Sequence, residues 1–208
     1  MTSRSIVVVS AGLSQPSSTR LLADRLAVAT VEDLRGRGAT SDVQVIELRD
    51  HARDLVDHLL TGFPSPKLRA AIDHVLGADA LIAVTPIFNA SYSGLFKLFF
   101  DVLERDSLSG LPVLIGATGG TARHSLALDH AVRPLFAYLN AGVVPTAVYA
   151  ASSDWGQDTA AEPALADRID RAARELAGAV ITHDPRDRAD PFASPTPFED
   201  LLRTVREG

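Results

Sequence analysis

Apolar residues follow two rhythms along this chain. Residues 5–10, 80–84 and 112–117 are short runs of β-branched, aliphatic and small residues. Such runs predict strands buried on both faces. Residues 42–48 (Asp-Val-Gln-Val-Ile-Glu-Leu) alternate, as a strand does. Residues 143–150 predict a fifth strand. Between these runs the period lengthens. Leu21, Leu22, Leu26, Ala29 and Leu34 make one apolar face of a helix over residues 17–35. Further helices are predicted over 67–76, closed by Gly77, and over 93–104 and 160–182. Another over 124–140 is interrupted near Arg133-Pro134. Residues 50–60 predict a short helix or ordered loop. Pro86 is expected to end the third strand.

Strands alternating with helices predict an α/β fold: a parallel sheet covered on both faces, a three-layer sandwich. Right-handed crossovers and five strands favour the flavodoxin-like order 2-1-3-4-5. Residues 1–182 form that domain. Residues 183–208 read as a Pro-rich C-terminal tail whose apolar residues (Phe192, Phe198, Leu201, Leu202) are free to pack on a neighbouring subunit or to stay mobile. Such sheets bind ligands beyond the carboxyl ends of the strands, where the strand order switches direction. Here that point lies between the first and third strands, so it faces residues 10–20 and 85–94.

Composition narrows the chemistry. The chain has 208 residues, a formal net charge of −6, 46% hydrophobic and 22% charged residues, and no cysteine. It is an ordinary globular composition with no electrostatic footprint for nucleic acid. Thiol catalysis, disulfides and cysteine-held metals are excluded. The histidines lack ligand-like spacing with carboxylates, so no metal is expected. No apolar run reaches the length of a membrane span, and the N-terminus lacks a signal-peptide pattern, so the expected location is cytoplasmic.

The loop Ser10-Ala11-Gly12-Leu13-Ser14-Gln15-Pro16-Ser17-Ser18-Thr19-Arg20 follows a strand and opens a helix. Free N–H groups and the helix dipole favour an anion there. Ser14, Ser17, Ser18 and Thr19 add hydroxyls, more than one helix cap requires. There is neither a Walker A sequence nor a dinucleotide Gly-x-Gly-x-x-Gly fingerprint. A mononucleotide phosphate fits this loop. The segment Thr85-Pro86-Ile87-Phe88-Asn89-Ala90-Ser91-Tyr92-Ser93-Gly94 carries no acid, base or thiol. That suits holding a flat cofactor that brings its own chemistry. Gly119 and Gly120 let backbone approach a planar ligand closely.

Three segments resemble the NADPH-dependent FMN reductases of the flavodoxin-like superfamily, and among them the reductases that partner luciferase-like or alkanesulfonate-type flavin-dependent monooxygenases. They are residues 14–20, residues 85–97, and Ala117-Thr118-Gly119-Gly120 with the downstream Leu126-Ala127-Leu128-Asp129-His130-Ala131-Val132-Arg133-Pro134-Leu135. The resemblance implies that Ser10, Leu13, Ser17, Ser18 and Thr19 form the FMN phosphate site. It implies that Pro86, Ile87, Phe88, Asn89 and Ala90 line the isoalloxazine, and that Ala117, Thr118, Gly119 and Gly120 meet its other edge. Many relatives carry Tyr where Phe88 stands, and Arg where this chain has Leu13 or Ser14. The missing Arg implies a looser phosphate grip. Some relatives have Tyr at the position of His130, in an irregular helix near a subunit interface.

The implied activity is hydride transfer from NADPH or NADH to FMN. No catalytic side chain is needed for that step, and reduced flavin then passes to a monooxygenase. A homodimer or homotetramer is implied. Two alternatives use the same loops: an FMN-retaining quinone or azo-dye reductase, and a non-enzymatic electron carrier.

Overall fold

A computed structural model describes residues 3–155 and 161–183. The tail beyond residue 183 lies outside them. The chain order is β1 (Ser3–Ser10), α1 (Ser18–Gly36), β2 (Thr40–Glu47), α2 (Ala52–Thr61), α3 (Pro66–Leu76), β3 (Ala80–Phe88), β4 (Ser91–Tyr92), α4 (Gly94–Asp101), β5 (Pro112–Gly119), α5 (Arg133–Tyr138), β6 (Gly142–Val143), β7 (Val148–Ala151) and α6 (Ala161–Thr182). The sheet runs β2-β1-β3-β5-β6, and β7 continues the β6 position beside β5. This is the flavodoxin-like order 2-1-3-4-5, with its last strand in two pieces.

Alternation along the strands builds two cores. Ile6 and Val8 face α1 and α6, meeting Leu22, Leu26, Ile169 and Leu176. Val7 and Val9 face the other way, onto Leu55, Leu68, Phe96 and Phe136 of α2 to α5. Helices on both faces leave only the strand ends open to a ligand.

Three expectations change. Pro86 does not end β3, which runs on to Phe88 with Pro86 in register opposite Thr118 of β5. The chain then reverses in a tight hairpin, with Ile87 paired to Tyr92 and Phe88 to Ser91. Asn89 (φ 48°) and Ala90 (φ 69°) both take left-handed backbone, the pattern of a type I′ turn. The expected strand over 143–150 is broken because Pro145 lacks an N–H and other groups take the ladder's partners. Arg133 donates to the carbonyls of Val144 (3.0 Å) and Pro145 (2.9 Å), and Thr146 N–H donates to Glu175 at 2.7 Å. The expected helix over 124–140 opens with single turns, widens into a π-turn at Leu128–Val132, and becomes regular only where Pro134 starts α5. His130 sits in that π-turn, exposed to solvent.

His51, in the turn between β2 and α2, is buried, and its Nδ1 has no hydrogen-bond partner. Burial pushes its pKa below the usual 6.5, and Lys67 pushes the same way against smaller opposite effects from Asp54 and Asp50. The native state therefore favours neutral His51, whereas the unfolded chain takes up a proton near pH 6.5. Stability is complete above that value and declines as pH falls through it. Melting temperature measured from pH 8 to 5.5 is expected to fall more steeply for wild type than for His51→Gln. Parallel curves would rule out this linkage.

Candidate functional site

The strands deliver three loops to one edge. Ser10 pairs with Val84, Pro86 with Thr118, and Gly119 with Ala151. The loops that follow therefore stand side by side. They enclose a cavity of 490 Å³ lined by Leu13, Ser14, Ser18, Thr19, Pro86, Ile87, Phe88, Thr118, Gly119, Gly120, Ser152 and Trp155.

One end of the cavity is polar. Ser17 caps α1 by accepting from Arg20 N–H at 3.2 Å, which leaves Ser14, Ser18 and Thr19 on the lining. The first turn of α1 carries no acidic residue. Its exposed N–H groups and dipole favour an anion. Arg20 does not supply charge there. Its guanidinium bonds Asp24 (2.8 Å) and Glu47 (2.6 Å), and both carboxylates raise its pKa. Arg49 also reaches Glu47, at 2.9 Å, and donates to the Ser14 carbonyl at 3.2 Å, bracing the loop from behind.

The other end is apolar and flat. Pro86, Ile87 and the half-exposed Phe88 face the Gly119-Gly120 backbone. The Thr85 hydroxyl secures the base of the hairpin, donating to the Pro86 carbonyl (3.0 Å) and accepting from Ser93 N–H (3.1 Å). Ser93 caps α4 in turn. The hydroxyls of Thr19 and Thr118 bond each other at 2.8 Å in a buried contact, so the first and third loops are joined directly. A planar ligand with an anionic tail matches this arrangement of one flat apolar slot and one amide-rich end.

The remaining expected residues stand behind or beside the lining. Ser10 is buried, with its hydroxyl 3.5 Å from Gly12 N–H. Ala117 is buried within β5, and Asn89 and Ala90 form the exposed hairpin turn. Ser152 and Trp155 had no signal in the sequence. They come from a single helical turn after β7, and only the β5–β7 pairing brings that turn to the edge. Arg25 of α1 lies over the Trp155 ring, 5.2 Å from its centroid. Among the described residues no group of three or more His, Asp or Glu side chains is placed to hold a metal, and no helix is long and apolar enough to cross a membrane.

Comparison with known proteins agrees with this geometry. The chain is 38% identical over 166 residues to the NADH-dependent FMN reductase SfnF of Pseudomonas putida, covering 80% of this chain and 87% of that protein. It is 38% identical over 172 residues to an FMN reductase (NADPH) of Pseudomonas aeruginosa, covering 83% and 90%. The solved structure of an oxidoreductase from Corynebacterium diphtheriae superposes with a TM-score of 0.83 at 45% identity, covering 87% of this chain and 98% of that one. Residues 4–156 match the model of the NADPH-dependent FMN reductase family. The chain belongs to that family.

Proposed function

We propose that this chain, a flavin reductase by family, reduces FMN with NAD(P)H and releases the product to a two-component monooxygenase. The observation that carries the reading is the single cavity that joins the hydroxyl-rich start of α1 to the flat slot between Phe88 and Gly119-Gly120. Ser14, Ser18, Thr19 and the α1 amides hold the phosphate. Pro86, Ile87 and Phe88 hold one side of the ring, with no hydroxyl at Phe88 to bond it. Backbone at Gly119 and Gly120 meets the ring's polar edge. Bound in this cavity, FMN would supply the hydride acceptor and the nicotinamide the hydride. The protein's share is to align the two rings and keep water out. Among the described residues no side chain lining the cavity is an acid or base, which suits a step that needs neither.

Release of the product follows from the loop chemistry. The phosphate end offers hydroxyls and amides, and both arginines beside its loop are paired with carboxylates, Arg20 with Asp24 and Glu47 and Arg49 with Glu47 and Asp50. The monooxygenase link rests on the resemblance of residues 117–120 and 126–135 to the reductases that partner such enzymes. A second copy of the chain has a suitable face in a 650 Å³ groove beside the π-turn, lined by Tyr92, Lys97, His130, Pro134, Leu135 and Tyr138 among others. Tyr138 is 67% exposed there, an aromatic surface left for a partner in a homodimer or homotetramer.

Trp155 is the chain's one tryptophan and lines the cavity. Titration with FMN is therefore expected to quench its fluorescence. Adding NADH or NADPH anaerobically should then bleach flavin absorbance for FMN in large excess over protein. Bleaching limited to one bound flavin per chain would favour the FMN-retaining reductase. No bleaching despite quenching would leave an electron carrier.

A further inference from the structure

We propose that Tyr149 is a positioning residue of the reduction site: its hydroxyl holds the turn after β5 in the shape that presents Gly119 and Gly120 to the ligand. The inference rests on the flavin reading above. Tyr149 lies on β7, paired with Ala117 two residues before Gly119, and its side chain is buried. Its hydroxyl reaches past the end of β5 and donates to the Thr121 carbonyl at 2.7 Å. The same carbonyl also accepts from His124 N–H, at a longer 3.4 Å.

The path of that side chain explains a residue choice. A Cβ placed on Gly119 would overlap the Tyr149 hydroxyl and lie 3.2 Å from its Cζ. Gly119 is therefore the space through which the phenol passes. Gly120 next to it is exposed, and a Cβ there would meet nothing within 4 Å. Two adjacent glycines without packing have much backbone freedom to lose. Behind the turn lies a second cavity of 350 Å³, lined by Ala122, Leu126, Tyr149, Asp154 and Arg168 among others, rather than packed core. The tyrosine thus stands between this second cavity, which it lines, and Gly119 on the lining of the first, and its hydroxyl is the fixed point for the turn.

Burial, with a smaller contribution from Asp154, keeps the phenol pKa above its usual 10. The hydroxyl stays a donor at every pH where the enzyme would be used. A turn fixed before the ligand arrives spares the ligand the entropy of ordering it. Tyr149 needs no contact with the ligand to have this effect.

The test is a double-mutant cycle read by FMN titration and by amide hydrogen exchange of the ligand-free protein. Tyr149→Phe keeps the ring and removes the strut. FMN affinity is expected to fall roughly three- to tenfold, and the amides of residues 119–121 should exchange faster while the sheet amides keep their protection. Gly119→Ala alone should weaken FMN more, because its methyl meets the hydroxyl. In the G119A background, Tyr149→Phe should recover affinity, since the clashing oxygen is gone. Removing one hydroxyl would then harm the parent protein and help the variant, a reversal that loss of general stability does not produce. Effects that simply multiply, or unchanged exchange at 119–121 in Tyr149→Phe, would overturn the proposal. Failure of the wild-type chain to bind FMN would overturn the flavin reading instead. Faster exchange at 119–121 would then show that the strut exists without its proposed ligand.

Discussion

Gly12→Ala is expected to weaken FMN binding by roughly ten- to a hundredfold while leaving the fold in place. A Cβ at Gly12 would overlap the Ser17 hydroxyl and sit 3.2 Å from Cβ of Thr19. Neither neighbour gives way freely. Ser17 is the N-cap of α1, and Thr19 is hydrogen-bonded to Thr118 in the third loop. Moving either one shifts the start of α1 or separates the first loop from the third. Overpacking of this kind costs about 1–3 kcal/mol, and each 1.4 kcal/mol lost from binding is about a factor of ten. The free loop relieves the overlap by shifting away from its ligand-holding shape, and binding must restore the strain, so affinity, in the proposed phosphate site, loses most of that energy. The sheet and its two cores lie below the loop and are untouched. Quenching of Trp155 gives the affinity, and thermal melting without ligand gives the stability. An affinity within twofold of wild type would mean that the first loop is not part of the flavin site.

The sequence made the sheet legible because β1, β3 and β5 are buried on both faces and read as unbroken apolar runs, while the edge strand β2 reads by alternation. Residues 5–10 and 80–84 fall within β1 and β3, and the order of alternation gave the topology. What escaped it depended on partners far away in the chain. Pro86 reads as a stop, yet a parallel strand tolerates it at the edge where β3 is turning into a hairpin. Ala90 has no sequence mark for left-handed backbone, and only the short β3–β4 pairing imposes it. The gap between β6 and β7 follows from Arg133 and Glu175 taking backbone groups that a ladder would otherwise use. In the site, hydroxyl and glycine clusters marked the right loops but could not separate the residues facing the cavity from those supporting it. Ser17 and Ser18 are neighbours of one type, and one caps the helix while the other lines the cavity. Trp155 carried no motif at all. Its place is set by the β5–β7 register, which sequence periodicity does not contain.

Phe96→Ala is the substitution expected to cost the most stability. Phe96 is fully buried and joins α4 to α5, with ring centroids 4.8 Å from Phe100 and 6.2 Å from Phe136. Phe100 in turn lies 4.8 Å from Phe136 in an edge-on contact, so removing one ring leaves a cavity at the centre of the cluster. Truncations of this kind cost about 3–5 kcal/mol, a large part of the roughly 5–15 kcal/mol that holds a domain together. For a chain of this size each kcal/mol is worth about 2–4 °C of Tm. The melting temperature should therefore drop by roughly 6–20 °C. Phe96 lies within three residues of the Ser93 cap that anchors the β3–β4 hairpin, and its own N–H donates to that cap's hydroxyl at 3.2 Å. The cap uses backbone rather than the ring, so the hairpin should survive in the molecules that remain folded. FMN at a hundred times its Kd would then restore about 2.7 kcal/mol by binding only the native state. Gly12→Ala should show the converse: a near-normal Tm that FMN at the same concentration raises far less. If FMN failed to raise the Tm of Phe96→Ala, the aromatic cluster would be shaping the cavity itself as well as stabilising the fold beneath it.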